Sequence, residues 1–390
     1  MKVKVLIVGA GPAGTACGMR LQQAGIECLV IDKQKFPRVK LCAGLFTHKS
    51  QDCLRSLVGN SMYDACINAS LMSRETQFGL YDGMKCMVTT TPSEPMILLS
   101  RPRFDAWMAE HFVSLGGRFH DGTELKGIDT ISNVATLTGQ TVEYDYLIAA
   151  DGANSTVEHI IARQFSNFRR KDRNPLCLEV NVKREDFDMP GVNIFFHIIP
   201  DSYAWSFAKG EETCLGLVKL THHEFDINAA MRKFMLDLGV KHPERYPLRG
   251  AMIPVGKYME HPVFRNIMFV GDAGGFVEPL TGEGIYHAMQ SGVYAAESII
   301  EGGAAGPAYE RKTEYLKQLI DQGAYYQRLL EKPSTSKYFF RNVGKHPRFV
   351  NHFYETQINH ACLDPFWKII LKYKLKKHAG HIMKLAGRIK

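Results

Sequence analysis

The 390-residue chain has no apolar run of 18 residues, so no segment reads as a membrane-spanning helix. It has no C-x-x-C pair, and its nine cysteines are scattered and odd in number. That pattern excludes a disulfide scaffold, gives no zinc, iron–sulfur or other metal site, and points to reduced thiols in the cytoplasm. Internal repeats and low-complexity tracts are missing too. Met1 leads straight into a strand pattern, which leaves no room for a signal peptide. With 45% hydrophobic and 23% charged residues the chain reads as globular rather than disordered or fibrous. Its length suffices for two or three lobes with substantial cores.

One stretch lacks acids altogether. Lys368–Lys390 carries eight Lys/Arg and no Asp/Glu, which accounts for the whole excess of 48 basic over 40 acidic residues. Ile369, Ile370, Leu371, Tyr373, Leu375, Ile382, Met383 and Leu385 alternate with the cations. Two readings stand. One is a basic amphipathic helix on an anionic membrane surface, which makes the protein a cytoplasmic, peripherally attached one. The other is a C-terminal helix packed on the body with a solvated lysine face. A nucleic-acid arm fits the interleaving less well, and no nucleic-acid partner is expected.

What is present twice is a strand emptied into a glycine turn. The first is "VKVLIVGAGPAGTACGMRL", Val3–Leu21. Gly9 permits a tight turn, Gly11 lets the backbone approach a pyrophosphate, and Gly14 lets the following helix pack on the strand. The pyrophosphate then meets the helix N-terminus beside Pro12 and Ala13. Asp32 ends the next strand 18 residues after Gly14, where it can accept hydrogen bonds from ribose hydroxyls. Lys33 follows it. An acid there repels a 2′-phosphate, so FAD or NAD suits the site and NADP does not.

The second is "NIMFVGDAGGFVEPLTGEGIYHAM", Asn266–Met289. Two separate nucleotide sites are one explanation. The other is one long cofactor gripped twice. NAD is satisfied by a single such unit, whereas the ribityl chain and ring of FAD extend beyond it. Gly271-Asp272 is then placed to bring its carboxylate onto the ribityl hydroxyls, with Gly282-Glu283-Gly284 and Ile285 near the ring and Pro279 shaping the turn.

Other segments complete an outline. "RPRFDAWMAEHFVSLGGRF" (101–119) reads as a helix with Phe104, Trp107, Met108 and Phe112 on one face, stopped at Gly116-Gly117. "VEYDYLIAADGANSTV" (142–157) is an apolar strand closed by Asp151-Gly152. Between 170 and 255 the strands are short, aromatic and β-branched and read as an antiparallel sheet. The expected fold class is α/β (α+β overall), a Rossmann-like FAD-binding domain with an inserted antiparallel β-sheet substrate domain and a helical C-terminal region. The FAD-binding part comprises 1–65, 96–165 and 256–305, the substrate sheet 66–95 and 166–255, and the helical region with its basic tail 306–390.

These motifs resemble the flavoprotein hydroxylase (p-hydroxybenzoate hydroxylase-like) superfamily and, within it, the geranylgeranyl reductase family. Gly9, Gly11 and Gly14, then Asp151-Gly152, then Gly271-Asp272 appear in the superfamily's order. Arg101 matches the arginine opening the family's R-x-x-F-D helix near the flavin. "FPRVKLCAG" (36–44) is similar to its P-R-x-K-x-C-G-G segment, and "VEPLTGEGI" (277–285) to its S-P-L-T-G-E-G-I segment. "YAWSFAKG" (203–210) resembles the reductases' Y-x-W-x-F-P motif. The chain departs from the pattern at Ala43, Glu158, Ala208 and Glu278, which stand where a glycine, an arginine, a proline and a small polar residue are usual.

The resemblance implies FAD as cofactor and reduction of carbon–carbon double bonds of an isoprenoid, geranylgeranyl-type substrate by hydride from reduced FAD. Cys42 is then a catalytic candidate that relays a proton or shapes the pocket, with Lys40, Ala43 and Gly44 in the same cofactor-binding loop. Tyr203 and Trp205 are the other catalytic candidates. At period two they share a face with Phe207, and that face is either core or, with Phe195 and Phe196, the wall of an apolar slot. No second Rossmann unit is evident, so the electron donor is a transiently docked NAD(P)H or a ferredoxin-like protein. A flavin monooxygenase or halogenase is the alternative enzyme, although the halogenase motif W-x-W-x-I-P is missing. A non-catalytic flavin module is the third reading.

Overall fold

The computed structural model of the protein describes residues 1–165, 175–200, 202–220, 225–343, 346–360 and 363. The basic stretch Lys368–Lys390 lies outside them.

The amino-terminal residues build the centre of an eight-stranded sheet. Strand β1 (Lys2–Val8) runs parallel between β2 (Cys28–Asp32) and the strand Gln140–Ala149. Arg118–Asp121 extends the sheet beyond β2, and Ile267–Phe269 extends it on the opposite side, both in parallel. Val5, Leu6 and Ile7 are fully buried, as a strand covered on both faces requires. Val5 and Ile7 face the helical layer, while Leu6 and Val8 face a second core with Val142 and Ile161.

Helix α1 (Pro12–Gln23) follows β1 directly, with Pro12 at its first position. It packs between two other helices at very short range. A Cβ on Gly18 would stand 2.8 Å from the Phe112 ring of the helix Arg101–Ser114, and one on Gly292 only 2.1 Å from the Ala13 carbonyl oxygen. The latter glycine lies in the helix Ile285–Ile300, which follows the second glycine turn. The expected helix face is present. Phe104, Met108 and Phe112 are buried, and Trp107 is half-buried at the edge.

The residues between 170 and 255 supply most of a seven-stranded sheet. Leu176–Lys183, Glu212–Lys219, Ser202–Lys209 and Val192–Phe196 pair antiparallel in that spatial order. Val192–Phe196 then pairs parallel with Phe78–Asp82, a single departure from the antiparallel expectation. Residues 66–95 divide among three places. Residues 66–70 end the helix Asn60–Ser70, 71–75 join a three-stranded sheet with Leu45–Phe46 and Met96–Leu99, and 78–90 complete the large sheet.

The large sheet is covered on both faces. On one, Leu178, Val180, Val182, Phe195, Leu215 and Leu217 meet Met231, Phe234 and Met235 of the helix Ile227–Leu238. Each large apolar side chain buried there contributes roughly 1.5–3 kcal/mol. The helix is fixed at its start by Asp226, whose Oδ1 accepts from the N–H groups of Asn228 and Ala229, and stopped by Gly239 in the left-handed region. On the other face, Phe78, Tyr203, Trp205 and Phe207 pack with Tyr326, Phe340, Phe349 and Tyr354 of the C-terminal helices. The long helix Ala305–Glu331 is anchored to the nucleotide sheet by the buried Tyr309 hydroxyl, which donates to the Phe269 carbonyl at 2.7 Å. Among the described residues, no helix is long and apolar enough to cross a membrane.

Candidate flavin site

The parallel strands β2, β1, Gln140–Ala149 and Ile267–Phe269 all end on the same edge of the sheet. Asp32, Gly9, Asp151 and Asp272 are therefore delivered to one crevice, although 263 positions separate Gly9 from Asp272 in sequence. Carboxyl ends of parallel strands are where open α/β sheets bind ligands. A cavity of about 530 Å³ opens there and runs on to the inner face of the seven-stranded sheet.

Gly9 shows why the first turn needs glycine. Its φ is +107°, and a Cβ would stand 2.3 Å from the Ala150 carbonyl oxygen and 2.9 Å from Asp151 Cα. The first glycine turn is thus pressed onto the Asp151-Gly152 segment. The start of α1 also meets the second turn, since a Cβ on Gly271 would stand 3.1 Å from Ala13 Cβ. One crevice receives both turns, and the two-site explanation fails.

Gly9, Gly11, Pro12, Ala13, Asp32, Lys33, Lys40, Cys42, Ala43, Gly44, Arg101, Asp151, Gly152, Asp272, Gly282, Glu283, Gly284, Ile285, Tyr203 and Trp205 all line the cavity. Gly14, Gly271 and Pro279 do not. Gly14 lies behind the turn, where a Cβ would be 1.9 Å from the Gly9 carbonyl oxygen. Gly271 N–H donates to Ser291 Oγ at 2.9 Å, which ties the turn to the following helix. Pro279 packs on Gly256.

The residues fit FAD. Helix α1 has no side-chain cap at Gly11, so its first N–H groups are left for a ligand on the cavity side. A Cβ on Gly11 would meet only Arg38 Nη2, at 3.5 Å, so the space in front of it belongs to the cavity. Asp32 Oδ2 accepts from Ala10 N–H at 3.0 Å and Oδ1 from Gln34 N–H at 2.9 Å, which holds the carboxylate at the crevice edge. Asp151 Oδ2 accepts from the N–H groups of Thr156 and Val157, and Lys40 Nζ stands 3.9 Å from Asp272 Oδ2. The cavity volume falls within the range of cofactor sites.

Charges at the site are paired in buried groups. Arg101 grips Asp105 with Nε and an η nitrogen at 2.8 and 3.0 Å, and Arg38 reaches the same carboxylate at 3.1 Å. The Cys42 side chain faces the Arg101 guanidinium, while its carbonyl accepts from Lys209 Nζ at 2.9 Å. Glu283 caps the helix behind it by accepting from Tyr286 N–H at 2.8 Å, and meets Lys49 Nζ at 3.4 Å and His287 Nδ1 at 3.0 Å. Burial works to raise its carboxyl, but Lys49 and His287 outweigh that and hold it down at about 2.

The inner wall resolves the question left by the aromatic strand. Tyr203, Trp205 and Phe207 line the cavity. Phe195 does not, because it points to the opposite face, where it stacks on Tyr81 at 4.3 Å and meets Phe234 edge to face at 5.2 Å. Phe196 lies off the cavity against Phe340. Two wall residues, Tyr354 and Ile358, come from the C-terminal region, where no motif pointed to the site.

The departures from the family pattern have local causes. Ala208 N–H donates to the Gly191 carbonyl at 3.0 Å, a bond a proline cannot make. Glu278 folds back on its own turn and accepts from Leu280 N–H, Thr281 N–H and Thr281 Oγ1. Glu158 stands in the first turn of a helix capped by Ser155, where an acid is favoured. Nothing in the structure explains Ala43.

The sequence did not single out Arg38, Lys49, Asp105, Glu179, Lys209 or His287. Asp105 had a signal, its i,i+4 spacing from Arg101. His287 had the same signal, its i,i+4 spacing from Glu283. The rest meet their partners through the tertiary fold.

The chain is similar to several known proteins. The FAD binding domain family matches residues 2–203. An uncharacterized protein of Methanosarcina barkeri is 31% identical over 354 residues, covering 88% of this chain and 85% of its own. The chloroplastic geranylgeranyl diphosphate reductase of Arabidopsis thaliana is 27% identical over 83% of this chain and 68% of its own. The crystal structure of a geranylgeranyl bacteriochlorophyll reductase-like protein from Thermoplasma acidophilum superposes with a TM-score of 0.75 at 18% identity, covering 100% of this chain and 99% of that one. The chain belongs to the FAD binding domain family, and it is an FAD-dependent oxidoreductase of the geranylgeranyl reductase-like kind.

Proposed function

We propose that this protein saturates carbon–carbon double bonds of an isoprenoid chain. The observation that carries the reading is a single cavity in which the uncapped end of α1 and the Gly282–Gly284 turn face an aromatic wall of Tyr203, Trp205 and Phe207. The reductase names of the relatives support the same chemistry. FAD bound in the crevice supplies, when reduced, a hydride for the substrate.

The chain's own residues bind, orient and exclude water. Gly9, Gly11 and the first turn of α1 receive the pyrophosphate, Asp32 the ribose, and Lys33 and Lys40 the nearby negative charge. Asp272 and Asp151-Gly152 face the ribityl chain, and Gly282 to Ile285 back the ring with Ala43 and Gly44 across from them. Tyr203 and Trp205 align the alkene and keep water out, which an isolated double bond requires of any hydride donor. Cys42, held beside Arg101, shapes the pocket at the reacting end. In this reading residues 1–65, 96–165 and 256–305 hold the flavin, 66–95 and 166–255 hold the substrate, and the described helices from residue 306 on cover it. Electrons come from NAD(P)H or a ferredoxin-like donor, and the basic tail attaches the protein to an anionic membrane.

The test is anaerobic mixing of reduced protein with a geranylgeranyl lipid. Flavin reoxidation with a product heavier by two hydrogens per double bond is the expected result. Oxygen-dependent hydroxylation coupled to the same lipid would instead establish the monooxygenase reading.

A further inference from the structure

We propose that Glu179 is the acid that protonates the substrate carbon next to the one receiving hydride, with Lys209 as the positioning residue for the carboxylate it becomes. The assignment rests on the alkene-reductase reading of the site.

Glu179 sits on the strand Leu176–Lys183, at the level of Gly216 on the neighbouring strand, and Gly216 in turn pairs with Trp205. The three residues form one row across the inner face of the sheet, and Ile194 continues it. Gly216 has no side chain, and the Trp205 indole occupies that space: a Cβ on Gly216 would stand 1.9 Å from Cζ2. The ring therefore leans toward Glu179. Among the described cavity-lining residues of this sheet, Glu179 is the sole carboxylic acid, and it is only 6% exposed. A buried acid on an apolar substrate wall needs a reason to be there.

Its surroundings suit a proton donor. Burial pushes the Glu179 carboxyl above the usual carboxylate range, which keeps a proton on it. Lys209, the Cys42 N–H, the Cys214 side chain and Arg101 all favour the ionised form, so the anion left after transfer is also accommodated. Tyr203 and Cys177 share the wall, but burial pushes both well above their ordinary values, and the neighbouring acids raise them further. Of these three wall residues only Glu179 has both forms supported, which is the condition for an efficient general acid.

The step balances. A hydride that bound, reduced FAD would supply bonds to one alkene carbon, the π pair moves onto its neighbour, and that pair takes the proton from a Glu179 carboxyl oxygen. The carboxylate is then held by Lys209 and Arg101 and regains a proton from water.

The experiment compares FAD-loaded wild type, Glu179→Gln and Glu179→Asp, reduced anaerobically and mixed with geranylgeranyl diphosphate. Glu179→Gln should keep its flavin and its reoxidation by oxygen, while reoxidation by the alkene falls by about 10²-fold or more. Glu179→Asp should recover part of the rate with an altered pH profile. Infrared spectra of the resting proteins should show a protonated carboxyl band that persists above about pH 4.3 in wild type and is lost in Glu179→Gln. A Glu179→Gln variant that turns over the alkene like wild type overturns the assignment alone, as does the absence of that band in wild type. A wild type that holds FAD but reduces no prenyl substrate overturns the reductase reading and this assignment with it.

Discussion

The Tyr203 hydroxyl oxygen lies 2.6 Å from the point where a β-carbon on Gly282 would stand. Tyr203 belongs to the seven-stranded sheet and Gly282 to the second glycine turn, so this contact closes the cavity between its two halves. Gly282 also holds a φ of +71°, a region that costs other residues about 1–2 kcal/mol. Gly282→Ala should lower the melting temperature and impair turnover. Adding Tyr203→Phe removes the colliding oxygen and should recover part of the loss, leaving the backbone strain. Melting curves and flavin content of the two variants measure it.

Gly9 and Gly11 separate structure from ligand. A side chain at Gly9 collides with backbone, so Gly9→Ala should yield little folded protein. A side chain at Gly11 meets only the end of Arg38 and otherwise fills the cavity. Gly11→Val should therefore fold, with circular dichroism like wild type, yet purify colourless.

Trp205 both lines the cavity and fills the space above Gly216. Trp205→Ala should lose stability, by about 3 kcal/mol as core aromatic deletions do. Trp205→Phe keeps most of that packing. It should retain FAD while turnover of a long prenyl substrate falls, which flavin absorbance and product mass together report.

Acid should unfold the protein partly through Glu283. Its carboxyl is held at about 2 in the folded state against about 4.3 in an unfolded chain. The stability this gives is complete above the unfolded value and is lost as pH falls from about 4.3 toward 2. Lys49→Met leaves the carboxylate buried without its cation and should cost about 3 kcal/mol near neutrality. The gap between wild type and variant should narrow in acid, which denaturant titrations across that range can follow.

The flavin half of the site was legible because its residues carry local constraints. Gly9, Gly11 and Gly14 sit at turn spacing, and Asp32, Asp151 and Asp272 each follow an apolar strand that sets their position. Glu179 was not legible. It lies on a strand whose faces no motif distinguishes. The fold turns Cys177 and Glu179 to the cavity and leaves Asn181 exposed. Lys49, Arg38 and the wall residues Tyr354 and Ile358 meet their partners across long sequence separations, and no periodicity reports such meetings. Phe195 was misplaced for a simpler reason. Alternation along the strand sends it and Phe196 to opposite faces, and the sheet position decides which face is core.

The contact of Ala13 with Gly271 and Gly292 bears on how the protein is made. The amino-terminal cradle leaves the ribosome long before the segment that completes it. A nascent half-chain has no closed crevice; closure must await synthesis through Gly292.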